Sequence, residues 1–186
     1  MPTPAGHALA ALAAWTACRP WARGMVRSPW FWLLLVSANA PDLDFLPGLL
    51  LGNESLFHHG AGHSIGGAVL YALAIMAVTA AVAGGGRAAL AGTLAFLLFT
   101  SHLVLDLFVR DTGAPYGIQL FWPFTDGYTM APWWVFPNLD RHPFDWSVAG
   151  RALPVVGVEL LLLGPLVAAA ALLRRRRSRA PRRDHS

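Results

Sequence analysis

"AALAGTLAFLLFTSHLVLDLF", residues 88–108, decides the fold. Its 21 residues match the ~20 that a helix needs to cross the hydrocarbon core of a bilayer. The run is apolar until its end, where His102 and Asp106 interrupt it. Four residues apart, the two share one face of a helix. Ionisable groups in such a segment are costly, so they mark a functional site by default.

The rest of the chain agrees with a membrane setting. Of its 186 residues, 55% are hydrophobic and only 13% charged, against about 25% charged in soluble domains. Residues 153–173 are a second spanning segment, and residues 65–83 a third, rich in small residues that let helices approach closely. Two weaker apolar segments come earlier, 5–18 and 29–40. The latter stops at Pro41, which disfavours helix at Ala40. The expected fold is all-α: a polytopic helical membrane protein with four or five transmembrane helices, the fifth depending on whether 5–18 spans. Residues 1–173 form the membrane domain, and residues 174–186 a basic tail expected to be disordered. The first basic residue is Arg19, so the positive start of a cleavable signal peptide is missing and the N-terminus is expected to be retained. Cys18 is the only cysteine, which excludes an intramolecular disulfide and a thiolate metal cluster.

All basic residues are arginine, and seven of the fourteen lie between Arg174 and Arg183. Beside an apolar helix such a run reads as a cytoplasmic anchor, and no nucleic-acid partner is expected. With the tail inside, segment 153–173 runs inward and the loop 110–152 lies outside. Segment 88–108 then runs outward, leaving Arg87 inside; segment 65–83 runs inward; segment 29–40 runs outward, leaving Arg19, Arg23 and Arg27 inside. If 5–18 spans, the N-terminus is outside. This arrangement brings His7, Asp42, Asp44, His58, His59, His63, His102 and Asp106 to one depth at the non-cytoplasmic face. The outer loop also carries "NLDRHPFDW" (138–146), whose spacing assigns it no role.

Histidine and carboxylate without cysteine suit zinc, manganese or iron better than magnesium or calcium. Asp42 and Asp44, two apart after a proline, can face one way, and either is a candidate bridging ligand or base. His58 and His63 flank glycines that allow the backbone to fold around an ion. Metals held in this way activate water and stabilise a phosphoryl transition state. Plainer readings stand beside this one. Asp42 and Asp44 can cap the next helix or form an Asx-turn. "HHGAGH" can be a polar loop, His102 with Asp106 a hydrogen-bonded packing pair, and His59 a group behind the ligands.

"PDLD" (41–44), "HHGAGHS" (58–64) and "SHLVLDLF" (101–108), followed by glycine and "LFWPF" (120–124), resemble the YdjM-like bacterial inner-membrane proteins. That family is described as LexA-regulated, membrane-bound, predicted metal-dependent hydrolases. The resemblance runs from His7 to Phe124 and implies metal ligands at His7, Asp42, Asp44, His58, His63, His102 and Asp106. The family's pattern has an arginine where this chain has His59. The family is in turn distantly similar to zinc-dependent phospholipase C and related all-helical trinuclear zinc nucleases, which implies a phosphodiester or phospholipid substrate.

The leading expectation is a metal-dependent hydrolase of a phosphoester in a lipid or envelope molecule, with zinc or manganese as cofactor, Asp42 and Asp44 as catalytic candidates, and the bilayer as partner. It would sit in the bacterial inner membrane with its C-terminus in the cytoplasm. The alternatives are a non-enzymatic metal-binding membrane protein and a metal or proton transporter. A transporter needs polar groups along a path to the inner face; Glu159 is almost the only one in the spans, and it lies nearer the outer end.

Overall fold

A computed structural model gives the fold for residues 2–18, 27–53, 56–112, 115–138 and 148–179. Arg19, Arg23, His142 with most of the 138–146 loop, and residues 180–186 lie outside the described residues. The architecture is all-α, with six helices among those residues: α1 (Pro4–Cys18), α2 (Pro29–Asn39), α3 (Phe45–Leu50), α4 (Ile65–Ala83), α5 (Gly85–Leu107) and α6 (Val148–Arg179). Short 3-10 turns cover Pro41–Asp44 and Ala61–His63.

Three helices, α4, α5 and α6, are long and apolar enough to cross a membrane. A fourth crossing is counted if α2 and the Pro41–Leu50 segment, bent by 57° from it, form one broken span. At 15 residues α1 is about 22 Å long, short of the ~30 Å hydrocarbon core. The second apolar segment forms α2, which ends at Asn39 just ahead of Pro41, as expected. Proline fits the first turn of a helix, where its missing N–H costs nothing. Ala40 keeps helical φ and ψ of −63° and −36°, and the chain turns through Pro41–Asp44 into α3. At the other end, α6 continues helically from Leu173 to Arg179, so the first residues of the basic tail belong to that helix. Arginine is a good helix former, and the run extends a helix already nucleated upstream.

The central helix is α5. Its buried residues, Ala88, Ala91, Gly92, Ala95, Leu98, Phe99, His102, Leu103 and Asp106, recur every three or four positions as one stripe. His102 and Asp106 are the end of that stripe. Small residues bring α4 close: a Cβ at Gly92 would stand 3.1 Å from the Ala72 carbonyl oxygen.

Contacts give the direction of each helix. His7, early in α1, stacks on His102, late in α5, while Trp15 meets Phe31 at the start of α2. Ala38, late in α2, meets His102. Tyr71 of α4 meets Phe99, and Met76 lies against Gly92. Thr3 meets Glu159, while Thr16 lines a cavity with Ala171, Arg174 and Arg175. Hence α1, α4 and α6 run one way, and α2 and α5 the other. The N-termini of α1 and α4 and the C-termini of α2 and α5 share one end of the bundle.

The segment after α5 caps that end. Leu107 and Phe108 carbonyls accept from Ala131, Val135 and Phe136 N–H groups at 2.8–3.1 Å. The first N–H groups of α4, on Ile65 and Gly66, donate to the Leu120 and Trp122 carbonyls at 2.9 and 3.2 Å. Helix ends leave such groups unpaired, so this loop fixes the two termini that carry His102, Asp106 and His63. Ile118, fully buried against Phe99 and Leu103, anchors the loop.

Candidate metal centre

Five side chains meet at the capped end. α1 contributes His7, the Pro41–Asp44 turn Asp42, the turn before α4 His63, and α5 both His102 and Asp106. His7, His63 and His102 have no exposed surface, and Asp42 and Asp106 are buried. His102 Nε2 lies 3.1 Å from Asp106 Oδ2 and 3.6 Å from Asp42 Oδ1. His63 Nε2 lies 3.4 Å from Asp106 Oδ2 and 3.8 Å from Asp42 Oδ1. His7 Nε2 lies 3.8 Å from Asp106 Oδ1. Ligand atoms about 2.0–2.2 Å from a tetrahedral zinc stand about 3.3–3.6 Å apart. The observed separations, 3.1–3.8 Å, bracket that range, so these groups could hold a metal ion.

The lone pairs agree. The His102 ring has its Nδ1 2.8 Å from the Ala38 carbonyl oxygen, which only accepts, so Nδ1 carries the proton and donates. His63 Nδ1 lies 2.6 Å from Asp44 Oδ2 and donates in the same way. Both Nε2 atoms, in the neutral rings, then turn lone pairs toward carboxylate oxygens. Nε2 of His63 and His102, both nitrogens of His7, and both oxygens of Asp42 and Asp106 are buried without a hydrogen-bond partner. Unsatisfied buried groups cost about 1–3 kcal/mol each, and a cation among them would offset that cost. An Nδ1–H held by a carbonyl or carboxylate is the usual support of a metal-binding imidazole. The residues fit a divalent ion.

Without a metal, a proton serves instead. Burial works against a charged His63 ring, but the surrounding Asp106, Asp42 and Asp44 carboxylates hold its pKa well above 6.5. His59 behaves in the opposite way: burial, then its neighbours His63 and His58, push it down to about 3. His59 also has φ at +65°, rare for a residue with a side chain, and its Nε2 is buried without a partner.

Around the five lies a second layer. Asp44 accepts from His63 with one oxygen and stands 2.8 Å from His58 Nδ1 with the other. Neither Asp42 nor Asp44 caps a helix with its side chain. Gly62 makes room for Asp44: a Cβ there would stand 2.8 Å from the Asp44 Cβ. Ser64 caps α4, accepting from Gly67 N–H at 2.8 Å, and so sets where His63 leaves the chain. His58, His59 and His63 form a ligand-capable group of their own, beside the groups His7/His102/Asp106 and Asp42/His63/His102.

A model of the YdjM inner membrane protein family matches residues 1–180. The chain belongs to that family. The match passes Phe124, where the sequence resemblance ends, and takes in the capping loop and all of α6. No curated protein and no solved structure matches the chain. Of the seven ligands implied by the family motifs, His7, Asp42, His63, His102 and Asp106 converge, whereas Asp44 and His58 stand one layer back. The sequence reading looked to Asp42 or Asp44 for the shared carboxylate. Asp42 Oδ1 does lie near both His63 and His102, and the structure adds Asp106, whose two oxygens face His7 on one side and His63 and His102 on the other. Sequence reasoning missed Gly62, the Ala38 carbonyl and the capping role of "LFWPF". The signal for the last was its aromatic and proline content in the loop after α5.

Proposed function

We propose that this end of the bundle binds a divalent cation, zinc first and manganese second, and hydrolyses a phosphoester of a membrane lipid or envelope molecule at the non-cytoplasmic face. The observation that carries the reading is the shell of buried, unpartnered nitrogens and oxygens around Asp106. When bound, such an ion polarises a phosphoryl oxygen and lowers the pKa of water. The protein's own part is to hold the ligands. Asp106 and Asp42 supply negative charge, the Ala38 carbonyl and Asp44 fix the tautomers of His102 and His63, and the loop at 120–136 keeps the helix ends in register.

A lipid substrate suits the surroundings. Leu43, Leu46, Leu50 and Leu51, on and beside the bent segment that carries Asp42 and Asp44, are exposed, as are Leu56 and Phe57 before the histidine motif. Exposed apolar patches of this kind mark membrane contact or lipid-binding surface. Charge supports this side of the membrane. Arg27, Arg87 and Arg174–Arg177 all lie at the bundle end opposite the centre, which the positive-inside rule assigns to the cytoplasm.

The full burial of His7, His63 and His102 favours a second reading, an ion that only ties the helices together. Elemental mass spectrometry of the purified protein in detergent decides the first point. Stoichiometric zinc or manganese, lost in Asp42→Ala and His102→Ala proteins that keep their helix content, establishes the centre. No metal after reconstitution refutes it. Phosphodiesterase and phospholipid assays of the loaded protein then separate the two readings: turnover abolished by the same substitutions supports the hydrolase, and none across both substrate classes supports the tie.

A further inference from the structure

Glu159 is a carboxylate in the middle of an apolar helix, fully buried, and outside the set of converging ligands. Its partner is the start of α1. Oε2 accepts from the Thr3 hydroxyl at 2.6 Å, and Oε1 accepts from the Thr3 N–H. Thr3 in turn accepts, through its carbonyl, from the N–H groups of Gly6 and His7 at 2.9 and 3.3 Å. The carboxylate lies directly on Gly6. A Cβ there would stand 2.8 Å from Glu159 Cδ and 3.0–3.1 Å from its oxygens. The sequence Thr-Pro-Ala-Gly-His is thus shaped around one acidic side chain from a helix more than 150 residues away.

We infer that Glu159 is a positioning residue: by clamping the first turn of α1 against α6, it sets the rotation of α1 that puts the His7 imidazole into the metal centre. A negative group at a helix N-terminus is favourable anywhere. The inference goes further because of what stands next. His7 follows Gly6 directly, and its ring stacks on His102 at 3.6 Å with planes only 15° apart. Toward the other end of α1, Ala11 and Trp15 pack on Leu34 and Leu98. Leu9 adds a contact with the cluster of Val109, Phe136 and Leu163, and Glu159 is the polar hold on the first turn, at the level of the site. An apolar side chain at 159 could fill the space but could not accept from Thr3 N–H and Oγ1, leaving α1 free to turn about its packed end. The metal side of this inference rests on the proposed centre; the placement of His7 does not.

The test uses full-length protein in detergent, with helix content and monodispersity checked for each variant. Metal-free protein is treated with diethylpyrocarbonate and the modified histidines are mapped by mass spectrometry. His7 is expected to be protected in wild type and modified in Glu159→Ala, while His102 stays protected in both. Glu159→Gln keeps one acceptor for Thr3 and should expose His7 less. Gly6→Ala, which drives a methyl into the carboxylate, should expose it as Glu159→Ala does, and serves if that variant fails to fold. Cobalt(II) titration supplies the second readout. Glu159→Ala should weaken binding about 10–100-fold and change the visible absorption in the same way as His7→Ala, with the double variant no weaker than His7→Ala alone. Wild-type protection of His7 in both Glu159→Ala and Gly6→Ala overturns the inference, as does a cobalt penalty that adds in full to that of His7→Ala. If wild type binds no cobalt but His7 becomes exposed in the variants, the metal reading fails and the clamp stands.

Discussion

Replacing Asp44 by asparagine separates a ligand from a residue that orients one. The motif alone makes Asp42 and Asp44 equivalent, two acids flanking a leucine. The structure divides them: Asp42 has both oxygens buried without hydrogen-bond partners, with Oδ1 3.6–3.8 Å from His102 and His63, while Asp44 has one oxygen on His63 Nδ1 and the other on His58 Nδ1. Asparagine retains a single acceptor oxygen, so one of the two imidazoles must face an NH2 group. If His63 loses its acceptor, its tautomer and ring orientation are no longer held. Losses of this type cost about 10–100-fold in metal affinity, or about 1.4–2.8 kcal/mol at 1.4 kcal/mol per tenfold. Asp44→Asn should therefore still bind a full equivalent of zinc when zinc is saturating, with weaker affinity in chelator competition. Asp42→Asn should lose the equivalent itself. Elemental analysis at saturating zinc, paired with the competition titration, reads both quantities. Loss of stoichiometric zinc from Asp44→Asn would make Asp44 a ligand and refute the layered arrangement. Wild-type affinity in Asp44→Asn would show that the His63–Asp44 bond orients nothing.

The raised pKa of His63 makes zinc binding pH-dependent. Zinc must displace that proton, so apparent affinity should fall about tenfold per pH unit as pH drops below the raised value, and calorimetry in buffers of different ionisation enthalpy should detect proton release. For metal-free protein the sign is the usual one for an elevated histidine. The stabilisation is complete below 6.5, the value for the unfolded chain, and is lost as pH rises through the folded value, so the thermal midpoint of metal-free protein should gain from this group on the acid side. Gly62→Ala forces a methyl against Asp44 and should cost about 1–3 kcal/mol, read as a lower thermal midpoint together with weaker zinc binding. Ser64→Ala removes the α4 cap and should cost about 1 kcal/mol, with full zinc stoichiometry kept.

What the sequence shows and what it hides follow from the scale of the physics involved. The shared face of His102 and Asp106 was legible from their spacing of four, and the structure puts both in phase with a stripe buried every three or four residues over about five turns. The convergence of His7, Asp42, His63 and His102 was legible through alternating helix direction, which brings the ends of different helices to one level. Local backbone choices were harder to read. Pro41 ends α2 at Asn39 as expected, but spacing did not show that Ala40 keeps helical φ and ψ or that the chain bends by 57° and continues. The division between Asp42 and Asp44 was invisible because it depends on which imidazole nitrogen each oxygen meets, a matter of an ångström that spacing does not encode. Glu159 stood out only as a lone acid in an apolar run, and its partner lay at the other end of the chain. Four of the family's motif residues meet around Asp106, and the groups behind them, Ala38 through its carbonyl, Asp44, Gly62 and Glu159, belong to segments that the motifs either leave unnamed or name for another role. In a site assembled from the ends of several helices, the ligands announce themselves by residue type. The parts that aim them have ordinary chemistry, and only contact distances distinguish them from packing.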